Sequence, residues 1–540
     1  MARGPVCGVE NCRSRRYDEG EDGFQYCENG HRQGVLLRTE EDDDDFATGR
    51  RTVTHINKDE EEQKKIARHF SGRQALDLHL KCLQLILRHQ IWFLVKEKGL
   101  PAELETVIFD LWSLRIAQFG DKIARQDQES ESQSQVYNTL ETDDSDTDGE
   151  KGTLRTPKGR DKKLGSVPNL IDCLALCYLG MITLRLPVTP GDIYVWITDG
   201  KMAYRRAIKL LPLAMRDRLP PSYHSVLDPS TLLKHKRLYA TITDLQISFE
   251  KDYAISWPAL NVQLLLFRYL KELALPLELY DATIRLSDLL GYSFVLRQDG
   301  NKRLGIRHLP EAQLAGCLVV CVKLLYPLDG EERYPKSSSE PTATVLDWDA
   351  WCRQMETVKA KQRGGDTRFT TEEMTKLEEK DVFSMLGDQV DQYLGFYADT
   401  FLDDAEIQRT RENDDFRNAL YEMFPTDGKS HGSSTTAVEE VSIQERLDVV
   451  KAVHSSMRSR AAVGDDDDAQ EDVLRPGEAY RLYKKEHDLP GQAKIFYEEV
   501  ARMVGLSMDM LIMAVLFTEA RIEQWRRRVA RKAVDNPTDE

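Results

Sequence analysis

Apolar residues recur at steps of three and four along most of this chain, and that period predicts helices. Leu76, Leu80, Leu83, Leu87, Ile91 and Leu94 line one face of a first helix; after Pro101, the set Val107, Ile108, Leu111 and Leu114 lines a second. Val167-Pro168 opens a third, NLIDCLALCYLGMITL, with Pro at the first helical position, where its missing N–H costs nothing. The same order returns further on. Pro258 opens ALNVQLLLFRYLKELA, Pro276 and Leu277 open a helix that runs to Gly291, and Leu309-Pro310 opens EAQLAGCLVVCVKLLY.

The spacing of the two sets agrees. From Gln74 to Pro168 is 94 residues, which falls to 50 once the 44-residue tract 121–164 is set aside, and from Pro258 to Pro310 is 52. Both third helices are rich in small residues: Cys173, Ala175, Cys177 and Gly180 in one, Ala312, Ala315, Gly316, Cys317 and Cys321 in the other. Small side chains let neighbouring helices approach closely, so each is expected to be the central buried helix of a small bundle. The pairs Cys173/Cys177 and Cys317/Cys321 lie one helical turn apart, but among Leu, Val and Ala with no His or carboxylate at compatible spacing, so they read as core.

Polar tracts punctuate this pattern. Residues 121–164 hold ESESQSQ and ETDDSDTDGE, then the bases Lys151, Arg155, Lys158, Arg160, Lys162 and Lys163, and are expected to be a disordered insertion. Within it, Ser145 and Thr147 sit among Asp143, Asp144, Asp146 and Asp148, a context that resembles acid-directed kinase sites. Residues 329–343 and 426–440 read as flexible links, and 461–476 as an acidic linker. The net charge of −17 argues against a polyanionic partner until its distribution is considered. Residues 40–45, 127–150 and 465–472 together carry −21, which leaves the remaining chain at about +4 and able to face a polyanion.

The N-terminus carries candidate metal chemistry. Cys7-x4-Cys12 and Cys27-x3-His31 each present two donors from a tight turn, and two such turns close a tetrahedral Zn²⁺ site. With four protein ligands no position is left for water, so one structural zinc is expected, in a ribbon too polar to fold unaided. A disulfide reading is weaker. No secretory apolar region precedes the cysteines, and nine cysteines is an odd number. No run of about 18 uncharged apolar residues occurs, which predicts a soluble intracellular protein without a membrane partner.

A zinc ribbon, a charged linker and two consecutive helical repeats together resemble the TFIIB family of transcription factors. The ribbon text CGVENCRSRRYDEGEDGFQYCENGHRQG, the long acidic insertion in the first repeat and the large C-terminal region look like those of the TFIIB-like subunit of the fungal RNA polymerase I core factor. The resemblance covers about residues 5–330. It implies a mostly α protein in which residues 1–36 form the ribbon and 37–70 a reader and linker. Residues 71–237 would form a first cyclin-like five-helix repeat carrying the 121–164 insertion, 238–330 a second such repeat, and 331–540 a helical extension with flexible acidic linkers. Cys7, Cys12, Cys27 and His31 fall on the family's metal ligands. The implied role is non-enzymatic: the ribbon docks on RNA polymerase I while the repeats hold the rDNA core promoter and the other core-factor subunits. TATA-binding protein is a further candidate partner, and the implied location is the nucleus and nucleolus.

DNA contact would have to come from basic faces. Lys201, Arg205, Arg206, Lys209, Arg216 and Arg218 are expected around the last helix of the first repeat, and Lys234, Lys236 and Arg237 just before the second; a solvated helical surface explains them equally well. In the last helix, Leu511, Ile512, Val515, Leu516, Ile522 and Trp525 precede RRRVARK, whose charges either offset the helix dipole or meet a partner. Enzyme signatures are weak: Gly428-Lys429-Ser430 lacks the first glycine of a phosphate-binding loop, and neither GxGxxG nor HExxH occurs. The competing reading is a zinc-ribbon, cyclin-like adaptor that binds only proteins.

Overall fold

A computed structural model of the chain describes residues 17–19, 24–27, 31–36, 69–129, 167–229, 231–295, 305–363, 368–403, 443–463 and 473–535. Two units separate by their contacts, Met1–Lys65 and Ile66–Glu540. In the first, β1 (Tyr17–Glu19), β2 (Phe24–Cys27) and β3 (Arg32–Leu36) form an antiparallel sheet in chain order. The reader and linker expected at 37–70 lies outside the described residues apart from 69 and 70, as does the acidic insertion from residue 130 to 166, with Ser145 and Thr147.

The second unit begins with α1 (Gly72–Trp92), which ends in a π-helical turn, Phe93–Glu97, and α2 (Glu103–Glu129). The expected insertion boundary at 121 falls inside α2, because Asp121–Glu129 contains strong helix formers and no Pro or Gly to stop it. Next comes α3 (Leu170–Thr183), which starts two residues later than Pro168. The cause is Asn169, whose side chain accepts from the backbone N–H of Ile171 (2.9 Å) and Asp172 (3.0 Å) and so satisfies donors that open a helix. A Thr189/Asp192 capping box then starts α4 (Pro190–Thr198). No long helix follows where the basic residues lie. Pro212, Pro220 and Pro221 break the chain into a 3₁₀ turn (Ala207–Leu210), α5 (Leu213–Arg216) and α6 (Pro221–Leu227) before α7 (His235–Tyr253).

Every residue of α3 from Leu170 to Met181 is buried, with α1, α2 and α7 packed around it. Gly180 is where α2 crosses, since a Cβ there would lie 2.6 Å from Ile108 Cγ1. Leu238, Ile242, Leu245 and Phe249 of α7 belong to this first core, so the boundary expected at 237/238 falls at the start of a helix that closes the first bundle.

The second bundle opens with α8 (Val262–Glu272), four residues after Pro258 because Asn261 is its N-cap, then α9 (Glu278–Leu290) and α10 (Pro310–Leu325), which Pro310 opens as expected. Beyond these lie α11 (Trp348–Arg363), α12 (Thr371–Lys376), α13 (Gly387–Phe401), α14 (Ile443–Ser455), α15 (Gly491–Val504) and α16 (Met508–Asp535), with the short strands β4 (Thr344–Val345) and β5 (Arg458–Ser459) paired antiparallel. The buried helix α10 is covered by α9 and by the two C-terminal helices. A Cβ on Gly316 would meet Thr518 Oγ1 at 2.6 Å, which marks the crossing of α10 and α16. Buried Lys323 of α10 reaches Glu519 of α16 at 2.6 Å, and the Tyr480 hydroxyl donates to the same carboxylate. Helices α15 and α16 therefore pack into the second core as far as Ile522.

The stretch 329–343 is packed, contrary to a flexible link. Buried Arg333 donates to Asp329 at 3.0 and 2.7 Å and to the carbonyls of Glu478 and Ala479, and the Tyr334 N–H bonds to Leu474 O. The fork of guanidinium donors stitches this stretch to the segment before α15. Residues 426–440 and 464–472 lie outside the described residues.

The two bundles meet at the start of α4. Arg268 of α8 grips Asp192 with two hydrogen bonds (2.7 and 2.5 Å) and the Pro187 carbonyl with a third, and Thr189 Oγ1 donates to Met503 O at 2.7 Å. Deeper in, the Tyr178 hydroxyl donates to buried Glu311, whose carboxyl is pushed up by burial. Among the described residues no single helix is long and apolar enough to cross a membrane.

Candidate metal and nucleic-acid sites

The three-stranded sheet places two of the four predicted metal ligands. Tyr26 pairs with Arg32 across β2 and β3, so the next residues toward the turn, Cys27 and His31, come to the facing ends of one hairpin, and His31 is half-buried. A thiolate and an imidazole so placed suit a zinc knuckle. Cys7 and Cys12 lie outside the described residues. The helical cysteines Cys82, Cys173, Cys177, Cys317, Cys321 and Cys352 are all free and buried. Burial pushes the Cys82 thiol up to about 11 and Cys321 to about 12, and among the described residues no three His, Cys, Asp or Glu side chains gather to hold a metal.

Eight of the nine predicted basic residues divide into two groups. Arg218, Lys234, Lys236 and Arg237 are exposed, the last three at the start of α7, where no acidic residue occupies the first turn. Cations at a helix N-terminus add to the positive end of its dipole, so this end of α7 is electrostatically suited to an anion. Arg218 also places its guanidinium over the Phe70 ring at 5.6 Å. Lys201 is half-buried in the turn after α4.

Arg205, Arg206, Lys209 and Arg216 form the second group, and the chain itself covers them. Arg206 pairs with Asp228 at 2.5 Å and donates to Phe401 O at 3.1 Å. Lys209 donates to the carbonyls of Asp399 (3.2 Å) and Thr400 (2.7 Å), and Arg216 pairs with Asp403. The Arg205 guanidinium lies over the Phe396 ring at 5.6 Å, and partial burial lowers its pKa. All of these oxygens except that of Asp228 come from the C-terminal end of α13 and the two residues after it. The last carbonyls of a helix lack intrahelical donors and carry the negative end of the dipole, so this is an ion pair built largely from backbone.

Sequence reasoning did not find this element. Its one signal is the spacing of Val390, Tyr393, Leu394, Tyr397 and Phe401, which gives a short amphipathic helix ahead of Asp403.

Comparison with known proteins matches three family models along the chain. Residues 1–33 match the zinc-finger of RNA polymerase I-specific TFIIB, Rrn7; residues 83–213 match the N-terminal cyclin domain of Rrn7/TAF1B; and residues 231–401 match its C-terminal cyclin domain. The chain is 24% identical over 383 residues to the RNA polymerase I-specific transcription initiation factor rrn7 of Schizosaccharomyces pombe, covering 67% of this chain and 70% of that one. It is also 24% identical over 363 residues to RRN7 of Saccharomyces cerevisiae, covering 62% of this chain and 63% of that one. Among solved structures, a chain of the S. cerevisiae core factor crystal structure aligns with TM-score 0.45 and 16% identity, covering 87% of this chain and all of that one.

Proposed function

This chain belongs to the Rrn7/TAF1B family of TFIIB-like, RNA polymerase I-specific transcription initiation factors, and from that premise we propose a division of labour between its two units. The protein is an RNA polymerase I-specific initiation factor acting in the nucleus, with the nucleolus as its proposed site of work. Its ribbon binds one structural zinc through Cys7, Cys12, Cys27 and His31 and docks on RNA polymerase I. The cyclin bundles hold the rDNA core promoter together with the other core-factor subunits, with TATA-binding protein as a further contact.

The observation that carries this reading is the order of parts: a ribbon with Cys27 and His31 at one hairpin end, followed by two consecutive bundles, each with a buried small-residue helix at its centre. Zinc supplies the ribbon's folding energy when bound. The side chains do the rest: Arg218, Lys234, Lys236 and Arg237 present exposed cations that neutralise phosphates without reading bases.

The test separates the units. A chain lacking residues 1–36, assembled with its core-factor partners on an rDNA promoter fragment, is expected to stay on the DNA and fail to retain RNA polymerase I. Loss of partner assembly with polymerase binding intact would replace this reading with the protein-only adaptor.

A further inference from the structure

The helix α13 is a poorly anchored element set on a strongly charged site. None of its fifteen residues is buried, and around it Val382, Phe383 (95% exposed), Leu386, Leu394, Tyr397 and Leu402 all face solvent. Away from its C-terminus it is held by Gln392, whose side-chain amide exchanges two hydrogen bonds with the backbone of Phe369 (3.0 and 2.8 Å). Its other strong contacts are those of the carbonyls of Asp399, Thr400 and Phe401 and the Asp403 carboxylate with Lys209, Arg206 and Arg216. A helix that buries so little apolar surface gains little from packing, so what seats it is exchangeable electrostatics.

The atoms it offers are three carbonyl oxygens at the partially negative end of a helix and one carboxylate, a row of acceptors such as a nucleic-acid backbone also presents to Lys and Arg. We propose that residues 387–403 are an internal occupant of a phosphate-binding face, which duplex DNA must displace to reach Arg205, Arg206, Lys209 and Arg216. The inference rests on the reading that the first bundle's basic face meets DNA. In the covered state only the exposed cations at Arg218 and the start of α7 are offered. In the open state Arg205, Lys209 and Arg216 join them while Arg206 keeps its pair with Asp228, so displacement converts a weak encounter into a wider, more salt-sensitive grip.

The test uses the full-length, zinc-loaded chain and a mixed-sequence DNA duplex, with affinity measured by fluorescence anisotropy from about 50 to 200 mM salt. Ala398→Pro breaks the C-terminal turn of α13 without altering charge and lies at an exposed position. It is expected to tighten binding about five- to tenfold at low salt and to steepen the salt slope by roughly two to three counterions. Asp388→Asn with Asp391→Asn, at the far end of the helix, removes two negative charges without opening the clamp and is expected to leave the slope unchanged. Adding DNA to the wild-type chain should speed hydrogen exchange of the amides in 395–401.

Equal affinity and slope for Ala398→Pro and wild type, or slower exchange on adding DNA, overturns the proposal. If Lys234→Glu with Lys236→Glu and Arg237→Glu still abolishes binding, the broader DNA reading survives that result. Failure of every variant and of wild type to bind the duplex overturns both.

Discussion

The backbones of Gly191 and Gly505 touch: a Cβ built on Gly505 would lie 2.3 Å from the Gly191 nitrogen, and one built on Gly191 would lie 2.5 Å from Met503 O. Gly505 ends α15 with φ +85° and Gly191 is in the first turn of α4, so the negative end of one helix meets the positive end of the other.

Gly191→Ala is therefore expected to destabilise the protein by about 2–4 kcal/mol, because the three atoms nearest the new methyl group are backbone and cannot swing aside. Gly200→Ala is the control. Unlike Gly191 it has a left-handed backbone (φ +71°), but it has open space around it, and should cost only about 1–2 kcal/mol of strain. Denaturant midpoints of the two variants check this, and equal losses would show that contact at Gly191 is not what matters.

Zinc content should follow the ribbon ligands alone. Cys27→Ser is expected to lose the metal and the sheet signal while the helical far-UV spectrum of the bundles persists, since metal binding supplies the ribbon's folding energy. Cys173→Ser and Cys317→Ser, at buried helical positions, should keep full zinc. Atomic absorption on natively purified variants decides it.

His79 makes stability fall on mild acidification. It is buried in α1, donates from Nε2 to Pro168 O at 3.3 Å, lies 4.6 Å from the Tyr223 ring, and is pulled down by burial to about 4. The unfolded chain takes up a proton near the usual value of 6.5 and the folded chain does not. Its contribution is thus intact above that value and is lost as pH falls toward 4, at about 1.4 kcal/mol per unit. The raised carboxyl of Glu311 has the opposite sign, stabilising at low pH and losing effect as pH rises. Urea unfolding at pH 7.0 and 5.0 should show a smaller drop for His79→Gln than for wild type, and identical drops would remove His79 from the account.

What was legible in the sequence is what local period and caps encode. The stripe from Leu76 to Leu94, the small-residue helices around Gly180 and Gly316, and the start at Pro310 could all be read, because each depends on residues within a few turns. Partnership between distant helices has no such signature. Nothing in the period of Leu511, Ile512 and Val515 says that they cover α10, or that Leu238 and Ile242 face the first core. The covering of Lys209 was illegible for a different reason: its partners are carbonyl oxygens, which every residue carries. At the ribbon the signal is of another kind, since the candidate ligand types are rare and their spacing is local, and the hairpin register brings Cys27 and His31 to facing strand ends.

The late arrival of α15 and α16 has a consequence during synthesis. The apolar helix α10 ends at Leu325, and beyond α9 the rest of its cover begins only at Gly491. A ribosome adding roughly 5–20 residues per second needs about ten to thirty seconds to bridge that gap. Throughout that interval the nascent chain displays a hydrophobic helix with half its neighbours unmade, a natural target for chaperones. A message truncated after residue 401 would leave that surface open for good, so shortened products should be degraded rather than persist as partial factors.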